Sequence, residues 1–314
     1  MAGRTDLPAP AHFEELVAPH RAELLRLCYR MTGSVQDAED ALQEALLSAW
    51  RGLAAFEGRS SVRTWLYRIT THACLRLTSR RPPRVLVTGP AFEQTADLGR
   101  PVEGPVFLEP WVHGPEEAYE RREGIELAFV AALQQLPGTQ RAVLILREVL
   151  QFSAAEVAAV LGTSVPSVNS ALQRARATVG SPDRPEQPAG ADERALVAEF
   201  VAAWERADVP ALVSLLTADA RFVMPPLPAW FDGPQWIERF WRERMFATPW
   251  RLRPIRANGQ PAFACYQGPA YELGSILVLT LRDGQIADLT GFLDPDLRRR
   301  VPPAPMSSGP APAL

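Results

Sequence analysis

The sequence predicts a multidomain chain in which two all-α lobes precede an α+β domain. Apolar residues recur at helical spacing over residues 13–81 and again over 116–179. A polar run rich in Pro and Gly, Gly180 to Ala191 (GSPDRPEQPAGA), then forms the clearest boundary in the chain. Beyond it, two amphipathic helices are followed by meandering strand-like runs, the order expected of an α+β domain.

In the first lobe, Gly33-Ser34 and Gly58-Arg59 punctuate three or four helices. Its acidic helix carries Asp37, Asp40, Glu44 and Leu47 on one strip, with Leu42, Leu46 and Trp50 on another. Acids in a first helical turn complement the helix dipole, and an acidic strip rimming apolar residues also suits a basic partner. From Arg59 to Arg84 there are seven arginines and no acid. One helix, Ser61 to Leu77, runs through this stretch, with Val62, Leu66, Ile69, Ala73 and Leu77 as its expected buried stripe. Trp65 and Tyr67 are two residues apart, so both cannot face the core; Arg63, Arg68, His72 and Arg76 lie beside them. Aromatic faces next to cations hold unpaired bases by stacking, about 1–3 kcal/mol per base, although a core role for Trp65 fits equally well.

Residues 82–115 are rich in Pro and Gly, carry Glu93, Asp97, Glu103 and Glu109, and are expected to have little structure of their own. The second lobe ends in a helix-turn-helix. Ser153 and Glu156 make a capping box, Val157, Val160 and Leu161 form an inner face, and Gly162 ends the helix. Ser164 caps the next helix with Pro166 in its first turn; Val168, Leu172 and Ala175 turn inward. That leaves Ser167, Asn169, Ser170, Gln173, Arg174 and Arg176 facing out. Short polar groups ahead of arginines suit a helix that reads base edges and then holds phosphates.

In the last block the expected elements are helices Glu193–Arg206, Val209–Thr217 and Pro234–Phe246, and strands Arg221–Met224, Trp250–Ile255, Ala262–Tyr266, Ser275–Arg282 and Gln285–Leu289. Asp283-Gly284 between the last two is a hairpin signal. The tail from residue 299 is expected to be disordered.

Composition bounds the function. The chain has 314 residues, a 47% hydrophobic content and a net charge of −3, so any nucleic-acid surface must be local. All 33 basic residues are arginine, which suits phosphates and aromatic faces. Cys28, Cys74 and Cys265 lie far apart without a CxxC or Cys/His cluster, so they read as buried free thiols, with no metal site. No signal segment or membrane-length apolar run occurs, and the expected location is the cytoplasm.

Taken together, these segments resemble the sigma-70 family, in particular its extracytoplasmic-function (ECF) group. The resemblance is carried by Phe13-Glu14-Glu15-Leu16-Val17, by Asp37 to Glu44, by Trp65-Leu66-Tyr67-Arg68-Ile69, by Leu136-Pro137 with Gln140-Arg141, and by Ser153 to Arg176. It implies that residues 13–81 are the σ2 domain and 116–179 the σ4 domain. It further implies that Asp37, Asp40, Glu44 and Leu47 bind the clamp helices of the polymerase β′ subunit. Arg63, Trp65, Tyr67, Arg68, His72 and Arg76 would recognise and melt the −10 element. Ser167, Asn169, Ser170, Gln173 and Arg174 would read the −35 element beside the β flap. The acidic linker, 82–115, would thread the polymerase near the RNA path. The family commonly carries Asn and Asp where this chain has His72 and Arg76, a departure that bears on the −10 preference.

Residues 192–298 resemble the SnoaL-like cone fold, which a subgroup of these sigma factors carries. Trp204, Met224, Trp241 and Tyr266, with Trp230, Phe240, Phe263 and Phe292, either line a pocket there or fill the cone. No histidine follows His113, which leaves Asp219, Asp232, Asp288, Asp294 and Tyr266 as acid–base candidates in no diagnostic motif. The expected protein is therefore a sigma factor without enzymatic activity or cofactor. It partners core polymerase and promoter DNA, and its last domain regulates it by intramolecular contact. Two other readings remain: a one-component regulator with a ligand-sensing cone domain, and a SnoaL-like cyclase or hydrolase fused to a DNA-binding region.

Overall fold

A computed structural model describes residues 10–58, 60–86, 98–104, 106–112, 126–179, 190–293 and 301. The 180–189 part of the linker, Asp294, and all of the 299–314 tail except Val301 lie outside the described residues. The chain divides into two units. One gathers the described parts of Met1–Leu86, Glu103–Pro110 and Ile125–Pro185; the other gathers those of Val87–Val102, Trp111–Gly124 and Glu186–Leu314.

The first unit is helical. Its leading lobe comprises α1 (Pro10–Val17), α2 (Arg21–Thr32), α3 (Val35–Gly52) and α4 (Val62–Thr78), with a short 3-10 turn at Leu53–Ala55. Gly33 closes α2 at φ 71°, and Ser34 then caps α3 by accepting from the Asp37 N–H, so the Gly33-Ser34 pair ends one helix and starts the next. Ser61 caps α4 in the same way, accepting from the Thr64 N–H. Leu24, Leu27, Cys28, Ala38, Ala41, Leu42, Leu66 and Cys74 are buried between α2, α3 and α4. Burial pushes the Cys28 thiol well up, with the neighbouring Cys74 adding to the rise.

The second lobe follows with α5 (Leu127–Gln134), α6 (Gly138–Leu144), a π-helical turn at Ile145–Val149, α7 (Ala154–Leu161) and α8 (Val165–Val179). It packs on the first. Buried Arg141 donates to the carbonyls of Leu133 at 2.8 Å, Gln134 at 3.1 Å and Leu136 at 3.0 Å, and it reaches across to the carbonyl of Met31. Gln134 adds a bond to the Arg30 carbonyl at 3.1 Å. One guanidinium thus satisfies free carbonyls at the ends of two helices in different lobes, and its desolvation lowers its pKa to about 10.

The second unit holds α9 (Gly190–Glu205), α10 (Val209–Ser214) and α11 (Pro234–Glu243) against a six-stranded sheet of order β2-β1-β6-β5-β4-β3. The strands are β1 (Leu216–Val223), β2 (Trp230–Asp232), β3 (Trp250–Ala257), β4 (Gln260–Gln267), β5 (Glu272–Arg282) and β6 (Gln285–Phe292). All pairs are antiparallel except β1 with β6. The predicted Asp283-Gly284 turn joins β5 to β6 with both residues at positive φ, and Asn258-Gly259 does the same between β3 and β4. Two expectations shift. The chain is already extended from Leu216, so the predicted helix from Val209 stops short of Thr217, and β2 is too short, at three residues, to show an alternation in the sequence.

Candidate nucleic-acid interface

On α4, Arg68 and Arg76 are exposed. His72 is half-buried, with Nδ1 2.8 Å from the Arg68 carbonyl oxygen. Trp65 is half-buried against Phe56, ring centres 4.8 Å apart. Tyr67 is 0% exposed. Its ring lies 5.0 Å from that of Phe152, and the Arg63 guanidinium sits 5.1 Å from the first ring centre and 4.4 Å from the second. Arg63 also pairs with Glu23 at 3.4 Å. Burial, and then the Glu23 carboxylate, raise the Tyr67 phenol well above its ordinary range against the opposing pull of Arg63. The buried face of α4 is thus Leu66, Tyr67, Thr70, Thr71, Ala73 and Cys74, while Val62, Ile69 and Leu77 are only half-buried. The expected stripe was rotated because α4 is covered by α7 as well as by α2 and α3. In this arrangement Tyr67 offers no face to a base.

Sequence reasoning passed over Phe152. An apolar residue just before the Ser153 cap is the position of a hydrophobic staple, and that signal was available.

The helix-turn-helix follows the sequence closely. The Glu156 carboxylate accepts from the Ser153 N–H at 2.7 Å, and the Glu156 N–H donates to the Ser153 hydroxyl at 3.2 Å. Gly162 ends α7 at φ 65°. On α8, Val168, Ala171, Leu172 and Ala175 are buried, and Ser167, Asn169, Ser170, Gln173, Arg174 and Arg176 are exposed. Two of these outward groups are engaged locally: the Ser167 N–H donates to Ser164 Oγ at 3.3 Å, and Arg176 pairs with Glu148.

Along α3, Asp40, Glu44 and Leu47 are exposed, Leu47 at 49%, beside an open groove of about 800 Å³ lined by Phe13, Leu42, Leu46, Leu47 and Trp50. Glu44 holds Arg76 at 2.8 Å, so a residue of the acidic strip and one of the basic helix partner each other. Asp37 departs from the strip. It is only 5% exposed, bonded to Arg84 at 2.7 Å and paired with Arg81 as well, because the first turn of α3 faces the chain leaving α4.

In the second unit Trp204, Met224 and Trp241 belong to the packed core. Trp204 touches Phe200 at 5.3 Å, Trp241 at 5.7 Å and Phe246 at 5.3 Å between ring centres. Of the two roles open to these residues, the structure shows packing. Tyr266 is half-buried on β4. Burial raises the Asp288 carboxyl, with Arg221 and Arg282 opposing, whereas bonds from Thr217 and Arg282 lower that of exposed Asp219. No described helix is long and apolar enough to cross a membrane.

Three family models match in this order: Sigma-70 region 2 over residues 16–81, Sigma-70 region 4 over 126–179, and the SnoaL-like domain over 197–289. The chain is 41% identical over 311 residues to the ECF RNA polymerase sigma factor SigG of Mycobacterium tuberculosis, covering 91% of this chain and 82% of that protein. It is 35% identical over 179 residues to the RNA polymerase sigma-H factor of Pseudomonas aeruginosa, which covers 56% of this chain and 86% of that one. Among solved structures, the M. tuberculosis extracytoplasmic-function sigma factor SigJ superposes with a TM-score of 0.62 at 25% identity, covering 92% of this chain and 97% of that one. With both sigma regions in order on the helical unit and a SnoaL-like domain after them, this chain belongs to the extracytoplasmic-function RNA polymerase sigma factors.

Proposed function

We propose that the chain joins core RNA polymerase in the cytoplasm and directs initiation by dividing the promoter between α4 and α8. The observation that carries this reading is the outward face of α8, where Asn169, Ser170 and Gln173 precede Arg174 with no acid among them. That helix reads the −35 duplex. Arg63, Trp65, Tyr67, Arg68, His72 and Arg76 act on the −10 region as it opens. Because Tyr67 is covered by Phe152, α4 and α7 must separate before Tyr67 meets a base.

Asp40, Glu44 and Leu47 dock the β′ clamp helices, while Asp37 supports that surface from within. The SnoaL-like domain acts in cis as a regulator and catalyses nothing. A short tether at 180–191 gives it a high effective concentration beside the sigma regions. In vitro transcription with core polymerase and the purified chain, with start sites mapped, tests the reading. Defined starts dependent on this chain are expected, and a chain that neither associates with core nor supports any start refutes it.

A further inference from the structure

Residues 106–109, within the linker between the two sigma regions, are docked on the N-terminal end of α3. Val85 and Phe107 form an isolated parallel bridge, the Val85 N–H donating to the Val106 carbonyl at 2.8 Å and the Leu108 N–H to the Val85 carbonyl at 3.0 Å. Leu108 is buried over Gly33, so closely that a Cβ on that glycine would lie 2.5 Å from Leu108 Cδ2.

Glu109 makes the fastening. Its N–H donates to the Gly33 carbonyl at 3.0 Å, and its own carbonyl accepts from the Tyr29 hydroxyl at 2.7 Å. Its carboxylate accepts from the Ser34 hydroxyl at 2.8 Å, the Val35 N–H at 3.1 Å and Arg84 at 3.2 Å. Arg84 in turn holds Asp37 at 2.7 Å and the Phe107 carbonyl at 3.1 Å.

The arrangement is all-or-none for a physical reason. A carboxylate at a helix N-terminus is favoured by the free N–H groups there. Arg84 is buried, and a buried cation that loses one of two carboxylates is left poorly compensated. Lifting the linker therefore breaks the Glu109, Arg84 and Phe107 bonds together. Asp37 joins this cluster to α3, the helix assigned above to polymerase, so a partner that shifts α3 as it docks on Asp40, Glu44 and Leu47 disturbs the buried Arg84–Asp37 pair.

We propose that residues 106–109 are a latch that holds the linker on α3 in the free factor and lets go when core polymerase takes that helix. The proposal rests on the assignment of α3 to polymerase. Hydrogen exchange of the full-length chain, alone and in holoenzyme, tests it at the Leu108 and Glu109 amides. Slow exchange in the free chain and about tenfold faster exchange in holoenzyme are expected. Glu109→Gln should exchange faster already in the free chain and associate with core several-fold faster. Equal protection in free factor and holoenzyme overturns the latch and needs no variant to fold. If Asp40→Arg leaves core binding unchanged, the assignment of α3 falls, while the wild-type exchange comparison still judges the latch. A chain that does not bind core sinks both.

Discussion

Arg63 lies against two touching rings, Tyr67 from α4 and Phe152 ahead of α7, and pairs with Glu23. Phe152 covers the Tyr67 ring, so Phe152→Ala should cost about 3–5 kcal/mol as a buried ring removed, read by chemical denaturation, and should expose Tyr67. Trp65 is a separate case, being half-buried beside Phe56. Trp65→Ala should leave polymerase binding intact and impair promoter melting on linear templates, with partial rescue by a pre-opened −10 bubble. Wild-type opening would make it a packing residue only.

The capping box offers a pH test at the same scale. Bonds from the Ser153 hydroxyl and N–H hold the Glu156 carboxyl below its ordinary value. A lowered pKa means a contribution fully present above that ordinary value and lost as pH falls through the lowered one. Ser153→Ala should cost about 1 kcal/mol at neutral pH, and the Glu156 share of that difference should fade in acid, as measured by thermal denaturation across pH.

At the scale of elements, α8 presents its two kinds of contact in sequence order. Asn169→Ala should cost about 1–3 kcal/mol and relax specificity at one position of the −35 duplex, if it reads a base edge. Arg174→Ala should instead weaken binding evenly across sequences and lower the salt slope by about one, the mark of a phosphate contact. Holoenzyme titrations on −35 duplex variants at several salt concentrations separate the two. The helix-turn-helix was legible because Ser153, Glu156, Gly162 and Ser164 are local signals that act within one turn of where they stand. The face of α4 was not, because Ile69 and Tyr67 compete for the interior and only the presence of α7 decides for Tyr67.

At the scale of the whole molecule, the testable statement is that the SnoaL-like domain regulates in cis. Truncation after Val179 should change promoter output or polymerase affinity in reconstituted transcription, and a truncated chain identical to full length in both would remove the regulatory role.

Sequence by itself determined the order and kinds of units here: an arginine-rich helical lobe, a helix-turn-helix and an α+β domain, each announced by periodicity and caps that act over a few residues. Only the tertiary structure decided which side chains remain available. Asp37 is committed to Arg84, Tyr67 to Phe152, and Trp204 and Trp241 to a packed core. Those partners lie dozens of residues away in the chain or on other elements, and burial is set by what packs opposite, which no local pattern encodes.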